Sequence, residues 1–145
     1  RYRAPIYRLV RASTGDAQEA LDLTQNTFIA AFSSLDRYDQ SRPLLAWLRR
    51  IALNKSRDLW RKRRLREILW RSGPIDTAHN VPDDAVLADV QAADRAELAR
   101  VMAAIARLPA RLRETLILRT IEGLGEAETA ELLGVSEKAV ETRLY

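Results

Sequence analysis

The twenty residues from Glu126 to Tyr145, EAETAELLGVSEKAVETRLY, constrain this chain more tightly than any other stretch. Ala130 is small enough to let two helices cross closely. Gly134, four residues on, supplies the left-handed backbone that a tight inter-helix turn needs. Ser136 can cap the second helix, and Val140, six past the glycine, plugs that helix into a core. Leu132, Leu133, Val135, Val140 and Leu144 are expected to face inward, with Lys138, Glu141, Thr142, Arg143 and Tyr145 turned outward. A second helix exposed in this way is the element that enters the DNA major groove. An ordinary helical hairpin can share the same spacing. One position fits poorly: Thr129 stands where an aliphatic side chain would pack better.

A chain of 145 residues allows one or two small domains, each with its own core. Five glycines, five prolines and 47% hydrophobic residues, rich in Ala and Leu, favour an all-α protein. The absence of cysteine excludes disulfides and thiolate metal sites and fits a reducing cytoplasm. No apolar run approaches membrane-spanning length and no signal peptide is visible, so no membrane insertion is expected. The chain starts at Arg1 and stops at Tyr145 inside an expected helix, so both ends read as trimmed.

Charge is distributed unevenly. Residues 1–41 carry five basic and five acidic side chains, residues 42–71 eleven and two, residues 72–99 one and six, and residues 100–145 seven of each. The second segment is therefore +9 and the third −5. Eleven positive charges in thirty residues repel one another, which favours an anionic partner over a merely solvated helix.

Helical periodicity organises the chain. Pro5 to Ala12 packs through Ile6, Leu9 and Val10, and the turn Ser13–Asp16 follows, with Asp16 a candidate N-cap. Ala17 to Leu35 repeats Ala20, Leu21, Leu23, Phe28, Ile29, Ala31, Phe32 and Leu35 at helical spacing. Asp36 to Pro43 is a polar loop, and Leu44 to about Leu69 is a long helix with Trp47, Leu48, Ile51, Ala52 and Leu59 along one stripe. Ser72 to Asp84, with Gly73, Pro74 and Pro82, reads as a flexible acidic linker. Two small helical domains, 1–71 and 85–145, then flank the linker 72–84. Ala85 to Leu108 and Ala110 to Ile121 are helical, separated by Pro109, before the helix-turn-helix.

In the first half, Asp22-Leu23-Thr24-Gln25 on one helix, Trp47-Leu48-Arg49-Arg50-Ile51-Ala52-Leu53-Asn54 on the next, Asp58 and the basic run Arg61–Arg66 occur in order. With Leu108-Pro109 and the C-terminal motif, this order resembles the extracytoplasmic-function group of bacterial RNA polymerase sigma factors, from about Tyr7 to Tyr145. The resemblance implies binding to core RNA polymerase and promoter DNA, control by an anti-sigma factor, a cytoplasmic location and no cofactor. It implies that Asp22, Leu23 and Gln25 dock on the polymerase clamp coiled coil. The loop with Arg37, Tyr38, Ser41 and Arg42, together with Asn54, would receive a base flipped from the −10 element. Trp47, Arg49, Arg50, Lys55 and Arg57 would line the melted strand, and Arg61, Lys62, Arg63 and Arg64 would grip phosphates. Trp47 lies on the apolar stripe, which favours a packing role over base stacking.

In the second half the resemblance assigns Thr142, Arg143 and Tyr145 to the −35 element, with Lys138 and Arg119 on phosphates. Glu141 departs from the group, many of whose members carry Arg or Lys there. A carboxylate can accept from cytosine's amino group, so the −35 sequence read here is expected to differ. Asn26 likewise replaces an acidic residue frequent after the docking glutamine.

Two other classes compete. A stand-alone helix-turn-helix repressor or activator explains the C-terminal motif and basic helix, but not the DLTQ and WLRRIALN combination. An enzyme is disfavoured because no nucleophile–base pair, phosphate loop or metal-ligand spacing is visible. His79, the only histidine, falls in the linker, and Asp83-Asp84 suits a helix start better than a metal.

Overall fold

A computed structural model describes the fold of residues 1–71 and 90–145. The expected linker Ser72–Asp84, with His79 and Asp83-Asp84, lies outside the described residues, as does the start of the helix expected from Ala85. Among the described residues the chain is all-α, without a strand.

Helix α1 (Arg3–Thr14) buries Ile6, Leu9 and Val10 completely. It ends at Gly15, whose left-handed φ of 75° lets its N–H reach the Arg11 carbonyl. A side chain there would also collide: a Cβ on Gly15 would lie 2.8 Å from the Ala106 Cβ. Helix α2 (Ala17–Ser33) starts as its sequence dictates, with the Asp16 carboxylate accepting the Glu19 N–H at 2.8 Å. Its buried face is Ala20, Leu23, Thr24, Thr27 and Ala31. The hydroxyls of Thr24 and Thr27 donate to the carbonyls of Ala20 and Leu23, so neither is a buried orphan. A 3₁₀ turn at Leu35–Arg37 leads to the loop before Pro43, and α3 (Leu44–Arg71) runs for 28 residues. Leu48, Ala52 and Leu53 insert into the core.

Helix α4 (Val90–Arg107) packs on α1. Pro109 breaks the chain, and α5 (Ala110–Leu116) continues into a π-helical turn, Ile117–Ile121. The length of the chain allows two small cores; Ile117 and Leu118 of this turn are fully buried in the core of α1–α3. The halves therefore share one apolar centre. Trp60 of α3 reinforces the junction: its indole N–H donates to the Ser13 carbonyl at 3.1 Å, and its ring lies beneath the guanidiniums of Arg63 and Arg113 at 4.6 and 4.3 Å.

Helices α6 (Glu126–Leu133) and α7 (Glu137–Leu144) form the helix-turn-helix. Gly134 takes the expected left-handed conformation at φ 68°, Ser136 Oγ accepts the Ala139 N–H at 3.2 Å, and Val140 is completely buried. Thr129 is also completely buried, and no group among the described residues hydrogen-bonds its Oγ1. Removing an unsatisfied hydroxyl at constant shape is stabilising. Thr129→Val is expected to add about 1 kcal/mol, or roughly 3 °C in melting temperature by calorimetry for a chain of this size. A lower melting temperature would show that the hydroxyl is needed.

Candidate nucleic-acid interface

The loop from Arg37 to Pro43 closes on itself. Asp39 Oδ1 accepts from both the Ser41 N–H (2.9 Å) and the Ser41 hydroxyl (2.6 Å), and the Tyr38 hydroxyl donates to the Arg42 carbonyl at 2.7 Å. The Ser41 bonds hold the Asp39 carboxyl below its ordinary pKa, so this closure is lost only as pH falls through that lowered value. Behind the loop the Tyr38 and Trp47 rings meet at 5.0 Å, tilted by 37°. A cavity of about 430 Å³ opens there, walled by Arg37, Arg42, Arg49 and Arg50 on one side and by Leu124, Glu128, Glu131 and Leu132 on the other. Trp47 packs against the core, the role its place on the apolar stripe favours, and its ring also lines this cavity. Asn54, expected with this loop, is not among the residues lining the cavity; it is exposed two turns past Trp47 on α3 and accepts from Arg57 at 3.4 Å, with Lys55 half-buried beside it.

The cations of α3 divide into two sets. Arg61, Lys62 and Arg64 are exposed, Arg61 pairing with Asp58 on its own helix. Arg63 was expected among the phosphate contacts but is turned inward, paired with Glu19 and stacked on Trp60. Burial lowers its guanidinium pKa, partly offset by Asp16. The reason is geometric: Trp60 and Arg63, three apart, share the helix face that meets α2's start. Arg49 and Arg57 are engaged by carboxylates of the C-terminal half.

In the helix-turn-helix, Lys138, Glu141, Thr142 and Tyr145 face solvent, while Arg143 is half-buried rather than fully outward. Arg143, Lys138 and Thr142 line a cleft of about 550 Å³ with Arg111 and Leu112 of α5. Arg111 is the residue that sequence reasoning missed, because only the packing of α5 on α7 brings it beside Lys138. Arg119, expected on phosphate, instead braces the turn before α6: it donates to the Leu124 carbonyl and lies 3.6 Å from Glu126.

On α2, Asp22 and Gln25 are exposed, but Leu23 points into the core. Its spacing from Ala20, Thr27 and Ala31 places it on the buried stripe. The apolar side chains beside Asp22 and Gln25 on the surface are Leu21, Ile29 and Phe32, the last three-quarters exposed. Sequence periodicity assigned all three to a helix face without saying that this face is open.

A basic helix and loop in one half and a helix-turn-helix in the other define the architecture of a two-part transcription factor. Residues 1–66 match sigma-70 region 2, and residues 98–145 match sigma-70 region 4. The RNA polymerase sigma factor CnrH of Cupriavidus metallidurans is 44% identical over 126 residues, covering 85% of this chain and 66% of that protein. The ECF RNA polymerase sigma factor SigW of Bacillus subtilis is 30% identical over 155 residues, covering 99% of this chain and 79% of SigW. The solved structure of CnrH in complex with the cytosolic domain of CnrY matches with a TM-score of 0.68 at 33% identity, over 97% of this chain and 73% of that one. Sigma factor RpoE of Bartonella quintana, in complex with the anti-sigma factor NepR, shares the fold at TM-score 0.72 and 22% identity, over 99% of this chain and 84% of that one. The chain belongs to the extracytoplasmic-function group of the sigma-70 family.

Proposed function

We propose that this chain binds core RNA polymerase and directs it to promoters, acting in the cytoplasm by binding rather than by covalent chemistry. The observation that carries the reading is the ordered match to sigma-70 regions 2 and 4 on one chain. The chain spans about two thirds of CnrH, so activity and partners are inferred from the parts the two share. Among the described residues, no helix is long and apolar enough to cross a membrane, and no group of three or more His, Asp or Glu side chains is placed to hold a metal.

Within this reading the exposed polar pair Asp22 and Gln25, framed by Leu21, Ile29 and Phe32, is the polymerase-docking surface. It has the mixed apolar and polar character of surfaces that grip a helix. The cavity between Tyr38, Trp47 and the Arg37–Arg42 loop is the site for an unstacked base. Arg49, Arg50, Lys55 and Arg57 serve the melted strand, and Arg61, Lys62 and Arg64 the phosphates. The α5–α7 cleft, with Arg111, Lys138, Thr142 and Arg143, meets the −35 duplex, and Glu141 and Tyr145 extend its reading surface. The solved CnrH and RpoE structures hold CnrY and NepR, respectively, and an anti-sigma partner is proposed for this chain in turn.

The test is capture of bacterial core RNA polymerase by the purified protein. The double variant Asp22→Ala/Gln25→Ala is expected to lose at least tenfold in affinity, about 1.4 kcal/mol, while keeping its helical circular dichroism. Undiminished capture would move the docking surface elsewhere. Failure of the folded wild type to bind core at all would hand the case to a stand-alone DNA-binding regulator.

A further inference from the structure

The guanidiniums assigned above to the melted strand are already occupied. Arg49 donates through Nε and Nη2 to Glu122 Oε2 at 3.1 and 2.6 Å. Arg57 makes a two-point pair with Glu114 at 2.7 and 2.6 Å. Arg42 reaches Glu131 Oε1 at 3.3 Å, and Arg50 donates to the Glu131 backbone carbonyl at 3.3 Å. All three carboxylates come from the C-terminal half, more than fifty residues away in sequence. The Arg49 and Arg57 pairs are not an exposed decoration: the Glu122 and Glu114 side chains are only 0% and 5% exposed, whereas Arg42 and Glu131 meet at the surface. A guanidinium held in two-point fashion by a carboxylate cannot offer the same N–H groups to a phosphate.

We infer that Glu114 and Glu122 form an intramolecular clamp that occupies Arg57 and Arg49 of α3 until a polyanion or a partner displaces it, with Glu131 holding the loop's Arg42 at its margin. The inference rests on the proposed role of α3 in DNA binding. Its energetics suit a switch. The desolvation cost of a buried ion pair roughly cancels its Coulomb gain, so such a pair adds little net stability. Glu122 is also incompletely satisfied. No group among the described residues hydrogen-bonds its Oε1, and the Arg8 guanidinium stands 3.8 Å away. The apolar contact through Ile117 and Leu118 holds the halves together, and the carboxylates determine what the arginines face.

The test is fluorescence anisotropy of the full chain with a labelled single-stranded thymidine oligonucleotide. Glu114→Gln/Glu122→Gln is expected to bind at least tenfold tighter than wild type. The slope of log affinity against log salt should steepen by about 1.4, as two released guanidiniums meet phosphates. Asp94→Asn/Glu97→Gln makes the same charge change at exposed positions on α4 and is expected to shift affinity less than twofold. An equal gain in that control, or no gain in Glu114→Gln/Glu122→Gln, overturns the clamp. If the double variant misfolds, Glu114→Gln alone, which frees the more exposed Arg57, is expected to gain about threefold, and no gain there overturns the clamp equally. Loss of binding in Arg61→Gln/Lys62→Gln/Arg64→Gln, with no gain in the clamp variants, leaves α3 as the DNA surface and rejects only the clamp. Undiminished binding in that triple variant rejects the DNA-binding reading of α3 itself.

Discussion

Arg113→Ala is expected to lower the melting temperature by about 10 °C, the largest stability effect of any single substitution argued for this chain. Arg113 is almost completely buried. Its Nη1 donates to the carbonyls of Ala106 and Leu108 at 2.9 and 3.1 Å, the last carbonyls of α4 before Pro109 ends the helix. The same guanidinium covers the Trp60 ring. Burial lowers its pKa and Glu114 opposes that shift. Truncation strands two helix-terminal carbonyls, opens a void and removes the cation from the indole. Together these amount to about 3 kcal/mol. Arg113→Lys should rescue little, because one ammonium on a flexible stem cannot cap the carbonyls and cover the ring in the same geometry. Thermal unfolding followed at 222 nm is the measurement, and a loss smaller than about 1 kcal/mol would mean that α4 is capped by other means.

The second large effect is on DNA binding. Arg61→Gln/Lys62→Gln/Arg64→Gln is expected to weaken single-stranded DNA binding roughly a hundredfold at low salt and to flatten the salt slope by about 2, near 0.7 per lost phosphate contact. All three side chains are exposed on α3, so helix content should not change. The substitution set leaves out Arg63, whose contacts with Glu19 and Trp60 make it part of the fold. Anisotropy titrations from low to moderate salt decide the matter. An unchanged slope would show that phosphate neutralisation takes place on another surface.

Arg113 and Arg63 also mark where sequence reading stops. Nothing in the spacing of either segment marks these two arginines as inward-facing, yet both meet Trp60, whose indole N–H is tied to the Ser13 carbonyl at the end of α1. Leu23 and Leu21 show the same limit within a single helix. Period alone places both near the apolar side of α2, and only the neighbours α1 and α3 determine that Leu23 is covered and Leu21 is not.

Local chemistry was sufficient elsewhere. Asp16 caps α2, Pro109 separates α4 from α5, Gly134 turns the helix-turn-helix, Ser136 caps α7 and Val140 anchors it, because each depends on backbone geometry or on a partner within a few residues. The sequence by itself thus determined the helices among the described residues, the segregation of charge and the family. Only the tertiary structure decided that Ile117 and Leu118 complete the core of α1–α3, and that Glu114 and Glu122 meet Arg57 and Arg49. Hydrophobic burial is non-directional, and ion pairs form between whichever charges the packed helices bring together, so neither leaves a signature at fixed spacing along the chain.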